Sequence, residues 1–233
     1  MNDLLEVLYA NNLKLIDPHL KNYNQSCSKE NKATNPFLLK VPQDHNSGAN
    51  PIMIFGQETN CWCKECGNQS EYSNSLKPSM DRYEIFYLNN GIKSYRGPFW
   101  NEFKRIRREV NKTHNSFFIW NNINKIGRIG KGNVQQINKL QFKYFNIVKD
   151  ELKILKPRVL VFLTGDDYDH FIRKNIEDFS ECKIDDCLSE LKFSNEFAHL
   201  KAYKTFHPNA LYHKGKNRIV INQLIELIKK SCI

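Results

Sequence analysis

Five short polar segments of this 233-residue chain hold the side chains best suited to chemistry. They are Gly56-Gln57-Glu58-Thr59-Asn60, Gly97-Pro98-Phe99-Trp100, Asn121-Asn122-Ile123-Asn124-Lys125, Thr164-Gly165-Asp166-Asp167 and His207-Pro208-Asn209-Ala210-Leu211. A positioned carboxylate such as Glu58 can orient a water and stabilise developing positive charge. A neutral imidazole at His207 can donate a hydrogen bond where negative charge collects. The Asn122 amide offers both a donor and an acceptor, as reading the edge of a heterocycle requires. A ring at Phe99 can stack on a flat ligand. Each residue also has an ordinary structural explanation. Glu58 could be an acid at a helix N-terminus, Asn122 and His207-Pro208 plain turns, and Phe99 and Trp100 core.

Cys61, Cys63 and Cys66 form a second constellation, Cys-Trp-Cys-Lys-Glu-Cys. Three thiols this close could hold zinc or an iron–sulfur cluster. Only Cys27 precedes them, however, and Cys182 and Cys187 lie far along the chain, whereas a structural zinc site usually shows a second clean pair. No cofactor is therefore expected. Seven cysteines without regular spacing fit reduced thiols better than a disulfide framework.

Charge points to a partner made of phosphates. Thirty-five Lys+Arg against twenty-five Asp+Glu leave +10, although a Lys-, Asn- and Ile-rich composition raises the isoelectric point by itself. The basic residues cluster, at Lys104, Arg105, Arg107 and Arg108 and again at Lys214, Lys216 and Arg218. No stretch approaches about eighteen consecutive apolar residues, so no membrane span is expected. The N-terminus lacks a basic segment followed by an apolar one, which fits a cytoplasmic protein.

The elements that must position these loops follow from the apolar pattern. Residues 1 to about 25 carry a helical stripe of Leu4, Leu5, Val7, Leu8, Leu13 and Ile16. Short apolar runs at 52–55, 116–120 and 158–163 read as buried strands, and a weaker one spans 198–206. Helices are expected at 99–110, 134–155, 168–176 and 219–228. Alternating strands and helices indicate an α/β fold, a mostly parallel four-stranded sheet covered on both faces. Ligands of such sheets bind at the carboxyl ends of the strands, where four of the five segments fall. A single domain is expected, with 1–49 as an N-terminal extension and 61–95 as an insertion.

From Asn50 onward the segments and their order resemble the uracil-DNA glycosylase superfamily. GQETN is similar to the GQDPY loop of its best-known branch, GPFW and NINK to the G-x-P-F and N-x-x-K of its iron–sulfur branch, and HPNAL to HPSPL. The resemblance implies a three-layer α/β/α sandwich and a catalytic Glu58, with Asn60 sharing the water and His207 facing the base carbonyl. It implies Phe99 as the stacking platform and Asn122 as reader of the base edge, with Gln57 and Lys125 also in the substrate site. Leu211 would be the wedge entering the duplex, with Tyr212 an alternative. Pro208, Asn209, Lys214, Lys216 and Arg218 would complete the DNA contact.

The chain departs from that pattern where Glu58 replaces Asp and where Thr59-Asn60 replaces Pro-Tyr. The tyrosine of that branch blocks the methyl of thymine, so Asn60 implies room for a group at carbon 5. The expectation is a monomeric, monofunctional DNA glycosylase removing uracil or a carbon-5-modified pyrimidine, in repair or in defence against modified phage DNA. A non-cutting nucleic-acid or nucleotide binder on the same fold is the alternative, and it would not need Glu58. A hydrolase of free nucleosides is a third class, and it would need neither Leu211 nor the basic run after it.

Overall fold

A computed structural model describes residues 1–42, 50–59, 61–62, 72–89, 91–132 and 134–232. In chain order its elements are α1 (Asn2–Ser26), β1 (Asn50–Gly56), α2 (Leu76–Tyr83), α3 (Pro98–Val110), β2 (Ser116–Asn122), α4 (Gln135–Tyr144) and α5 (Val148–Leu155). There follow β3 (Val159–Leu163), α6 (Asp169–Asn175), β4 (Phe179–Asp185), β5 (Leu188–Phe193), β6 (Lys201–Thr205), α7 (Pro208–His213) and α8 (Asn217–Ser231). They gather into two compact units interleaved along the chain. One comprises Met1–Pro42, Glu58–Gly91 and Asn122–Leu155; the other comprises Gln43–Gln57, Ile92–Asn121 and Lys156–Ile233.

The first unit is helical. Leu5, Tyr9, Leu13, Ile16 and Leu20 recur along α1 at steps of three and four and are fully buried, as a helix with one apolar face requires. The helix runs on through Pro18 to Ser26. The one long helix expected over 134–155 is instead two. α4 ends at Phe145 (φ −145°, ψ 39°), and α5 restarts at Val148. Phe145 and Ile147 are fully buried between them, so tertiary packing overrides the continuous helical period.

Inside this unit lies a buried ion pair. Lys125 Nζ sits 2.8 Å from Glu151 Oε1 and 3.0 Å from Oε2, and neither side chain has any solvent exposure. Tyr9 donates to the same carboxylate at 2.7 Å and accepts from the Leu39 amide at 3.1 Å. The ammonium also lies 4.8 Å from the centre of the Phe37 ring. Two buried charges are tolerated because each finds several partners. The network ties α1, α5, the segment around 37–39 and the loop after β2.

The second unit holds a six-stranded mixed sheet in the order β2-β1-β3-β6-β5-β4. β3 is parallel to both β1 and β6, and all five of its residues are buried, which suits an apolar run paired on both edges. Phe55 and Phe162 are register partners whose rings stack at 4.8 Å. The expected four strands are thus joined by a hairpin, β4–β5, antiparallel to itself and to β6.

The hairpin escapes an apolar reading because β4 is polar and exposed from Ser180 to Ile184. Its turn at Asp186-Cys187 lacks the usual glycine and is closed by the Asp185 carboxylate accepting from the Cys187 amide at 2.6 Å. Lys204 of β6 pins the hairpin from beneath. This nearly buried ammonium contacts Glu181 of β4 at 3.1 Å, Asp169 at 2.8 Å and Asp166 at 2.9 Å. Elsewhere in the unit α3 packs on α7 and α8, and α8 packs on β6. No helix among the described residues is long and apolar enough to cross a membrane.

Removing one partner of a buried ion pair strands the other charge. Lys125→Met should therefore lower unfolding free energy by about 3–5 kcal/mol, while Lys125→Met with Glu151→Leu should recover most of that loss. Denaturant titration of the two single variants and the double variant checks it. Single variants as stable as the parent would mean that the pair organises nothing.

Candidate functional site

In the helical unit, the chain after β1 and the chain after β2 run side by side. Glu58 is half-buried in irregular chain, two residues past Gly56 at the end of β1. The next residue, Thr59, lies so close to Gly127 that a Cβ there would sit 1.9 Å from the Thr59 carbonyl oxygen. Only glycine allows that approach. The Cys61 amide donates to the Arg128 carbonyl at 3.3 Å, and its thiol to the Ile129 carbonyl at 2.6 Å.

The other side of this loop is held by the segment at 32–37. Thr34 donates to the Gly127 carbonyl at 3.0 Å and Phe37 to the Lys125 carbonyl at 2.7 Å. The Gln141 side chain accepts from the Lys125 and Ile126 amides at 2.7 and 3.0 Å. Asn122, buried at the end of β2, opens this clamped loop. Asn60, Cys63 and Cys66 lie outside the described residues, and with them the expected sharing of the water and most of the cysteine constellation. No cluster able to hold a metal ion occurs among the described residues.

One expectation for this loop changes. Lys125 does not serve a substrate: it has no exposed surface, and its ammonium is held by Glu151. Asn124, two residues after Asn122, was not singled out by its sequence context. It is fully buried, and neither atom of its amide bonds to a described residue.

In the sheet unit, Gln57 is a brace between two strand-end loops, its amide nitrogen donating to the Thr164 carbonyl at 2.8 Å. Asp166, in the loop that Thr164 opens, is engaged by Lys204. Phe99 and His207 come together. Gly97 adopts φ +142°, a value side chains disfavour, and Pro98 supplies a preset first turn, so α3 starts abruptly with Phe99 beside it. The Phe99 and His207 rings lie 6.2 Å apart, 16° from parallel, and both are half-buried.

His207 caps α7. Its Nδ1 accepts the Asn209 amide at 3.2 Å, and because a backbone N–H can only donate, Nδ1 carries no proton. The neutral ring must then carry its proton on Nε2. Burial holds the imidazole below the ordinary histidine value, which keeps that neutral donor at neutral pH.

The helix that follows corrects the wedge. Leu211 is 0% exposed, buried on the core side of α7, so it does not present itself to a duplex. Tyr212 is the outward ring, at 46% exposure. Pro208 is buried at the first turn, while Asn209 is exposed. Lys214 and Arg218 are exposed as expected, Lys214 lying 4.9 Å from the centre of the Phe206 ring. Lys216 is exposed too, but pairs with Asp186 at 3.3 Å, which weakens it as a phosphate contact.

The tautomer is directly testable. Nitrogen-15 shifts of His207 should show an unprotonated Nδ1 and a protonated Nε2 at neutral pH, titrating below about 6.5. Because the unfolded ring then binds protons first, stability should fall as pH drops below that ordinary value. A ring protonated on Nδ1, or titrating above the ordinary value, would remove the neutral donor.

No protein-family model matches the chain, and no curated protein matches it in sequence.

Proposed function

We propose that this protein is a monofunctional DNA glycosylase acting on uracil or a carbon-5-modified pyrimidine, on a three-layer α/β/α fold like that of the uracil-DNA glycosylases. The observation that carries the reading is the Phe99–His207 pair. A half-buried ring face stands near-parallel to an imidazole whose protonation leaves one donor, Nε2–H. A flat base with a carbonyl beside its ring is the ligand such a pair suits. The +10 charge and the exposed Lys214 and Arg218 suit the phosphates that would carry that base.

The chemistry assigns each group a task. The base leaves the stack to be reached, and the Phe99 face replaces part of the stacking it loses. As the bond between C1′ of the sugar and the base nitrogen breaks, its electron pair leaves with the base and the sugar becomes cation-like. His207 Nε2–H donates to the base carbonyl, where the negative charge collects. The Asn122 amide pairs with O4 and N3–H of the pyrimidine. The Glu58 carboxylate stabilises the sugar cation, orients a water toward C1′ and takes its proton. The products are a free base and an abasic site. Tyr212 and not Leu211 meets the remaining bases.

Incubation with single strands and duplexes carrying uracil, thymine or bulkier carbon-5-substituted pyrimidines, followed by assay for abasic sites, tests the proposal. Asn60, in place of the blocking tyrosine, leads to an expectation of activity on at least one substituted base. Asn60→Tyr should abolish that release before it affects uracil. Glu58→Gln should slow single-turnover release by about 100-fold or more with DNA affinity nearly intact. Binding to DNA with no abasic site on any substrate would favour the non-cutting binder.

A further inference from the structure

Tyr212 is held in an unusual way for an exposed aromatic residue. Nearly half its surface faces solvent, yet its hydroxyl reaches inward and donates to Glu102 Oε1 at 2.7 Å. Glu102 lies on α3 and is buried. Its carboxylate also accepts from Asn217 of α8 at 2.9 Å and from Arg105 one turn along at 3.2 Å. Arg105 in turn donates to Asn222 of α8. One carboxylate therefore joins α3, α7 and α8. The hydrogen bond to Glu102, the largest cause, raises the Tyr212 phenol above the ordinary tyrosine value, so the hydroxyl stays protonated and donating.

A phenol tethered at its tip does not project as a wedge. It lies against the protein and offers a face. We propose that Tyr212, fixed by Glu102, is a stacking subsite for an unpaired nucleobase of a single-stranded or locally opened nucleic acid, outside the pocket that receives the reacting base. This rests on the nucleic-acid reading given above.

Three further observations favour such an occupant. A ring already immobilised loses little freedom on stacking, and every base has a π-face to offer it. Lys214, two residues on, and Arg218 on α8 are exposed cations close in sequence to the ring, of the charge that the backbone of the same strand requires. The carboxylate beneath is buried and already answered by Arg105, Asn217 and Tyr212, so little of its charge is directed at an approaching phosphate. Glu102 is in this view a positioning residue, acting only through Tyr212.

The probes are a fluorescent single-stranded oligothymidylate and a chain of equal length whose units are abasic sugar phosphates. Tyr212→Ala should weaken oligothymidylate binding by about 5- to 100-fold and leave the abasic chain almost unaffected. Tyr212→Phe keeps the ring but frees it, and should lose a smaller part of that preference. Glu102→Ala should match Tyr212→Phe, whereas Glu102→Gln, which keeps an acceptor, should restore the wild-type preference. Melting of each variant separates loss of fold from loss of stacking.

If wild type binds both chains and Tyr212→Ala weakens them equally or not at all, the subsite is wrong while nucleic-acid binding stands. If wild type binds neither chain, nor duplex, the nucleic-acid reading fails and takes the subsite with it.

Discussion

Lys125 and Glu151 form the constraint on which the helical unit depends. Each charge is fully buried, and either one alone would be expelled by its desolvation cost. Together with Tyr9 they fasten the loop after β2 to α1 and α5. That loop starts at Asn122 and runs to Gly127, against which the chain carrying Glu58 and Thr59 is laid. Asn122 and the chain carrying Glu58, both used in the proposed chemistry, are thus held in a segment that this pair anchors. Loops of irregular backbone hold a defined geometry only when their polar groups are answered from both sides, and here Gln141 and the 32–37 segment do the rest.

The sheet unit solves a related problem with a carboxylate. Glu102 is buried where α3 meets α7 and α8. Phe99 begins α3, and His207 caps α7, so fixing the joint between those helices also fixes the angle between the two rings. The Asn209 amide then determines which nitrogen of His207 donates. In both units the candidate site residues sit at or next to element ends, and buried charges behind them set those ends in place.

Much of this was legible in the sequence. The apolar runs at 52–55, 116–120 and 158–163 are strands because paired, buried strands need little else than apolar residues of the right length. Gly97-Pro98 announced a helix start, whereas the short helix after His207 is not expected from the sequence, where His207-Pro208 reads as a turn. What stayed hidden depended on distant partners. The β4–β5 hairpin has an exposed strand and an aspartate-closed turn, so neither periodicity nor turn residues gave it away. Lys125 looks like a ligand-binding lysine until Glu151, twenty-six positions along, takes its charge. Leu211 and Tyr212 are neighbours on a six-residue helix, and only the packing of α7 on α3 decides which faces outward. Glu102 gave no signal beyond being an acid in a basic helix.

Extrusion of a base from the stack is the step on which all the assigned roles converge. It can be measured without cleavage by placing 2-aminopurine next to a uracil or a carbon-5-substituted pyrimidine and using Glu58→Gln, which retains the binding groups. If Phe99, Asn122 and His207 receive an extruded base, fluorescence should rise several-fold as the protein saturates the DNA, because 2-aminopurine brightens when its stacked neighbour leaves. Saturated binding with unchanged fluorescence on every substrate tried would mean that the bases stay stacked, and would contradict the glycosylase reading at its root.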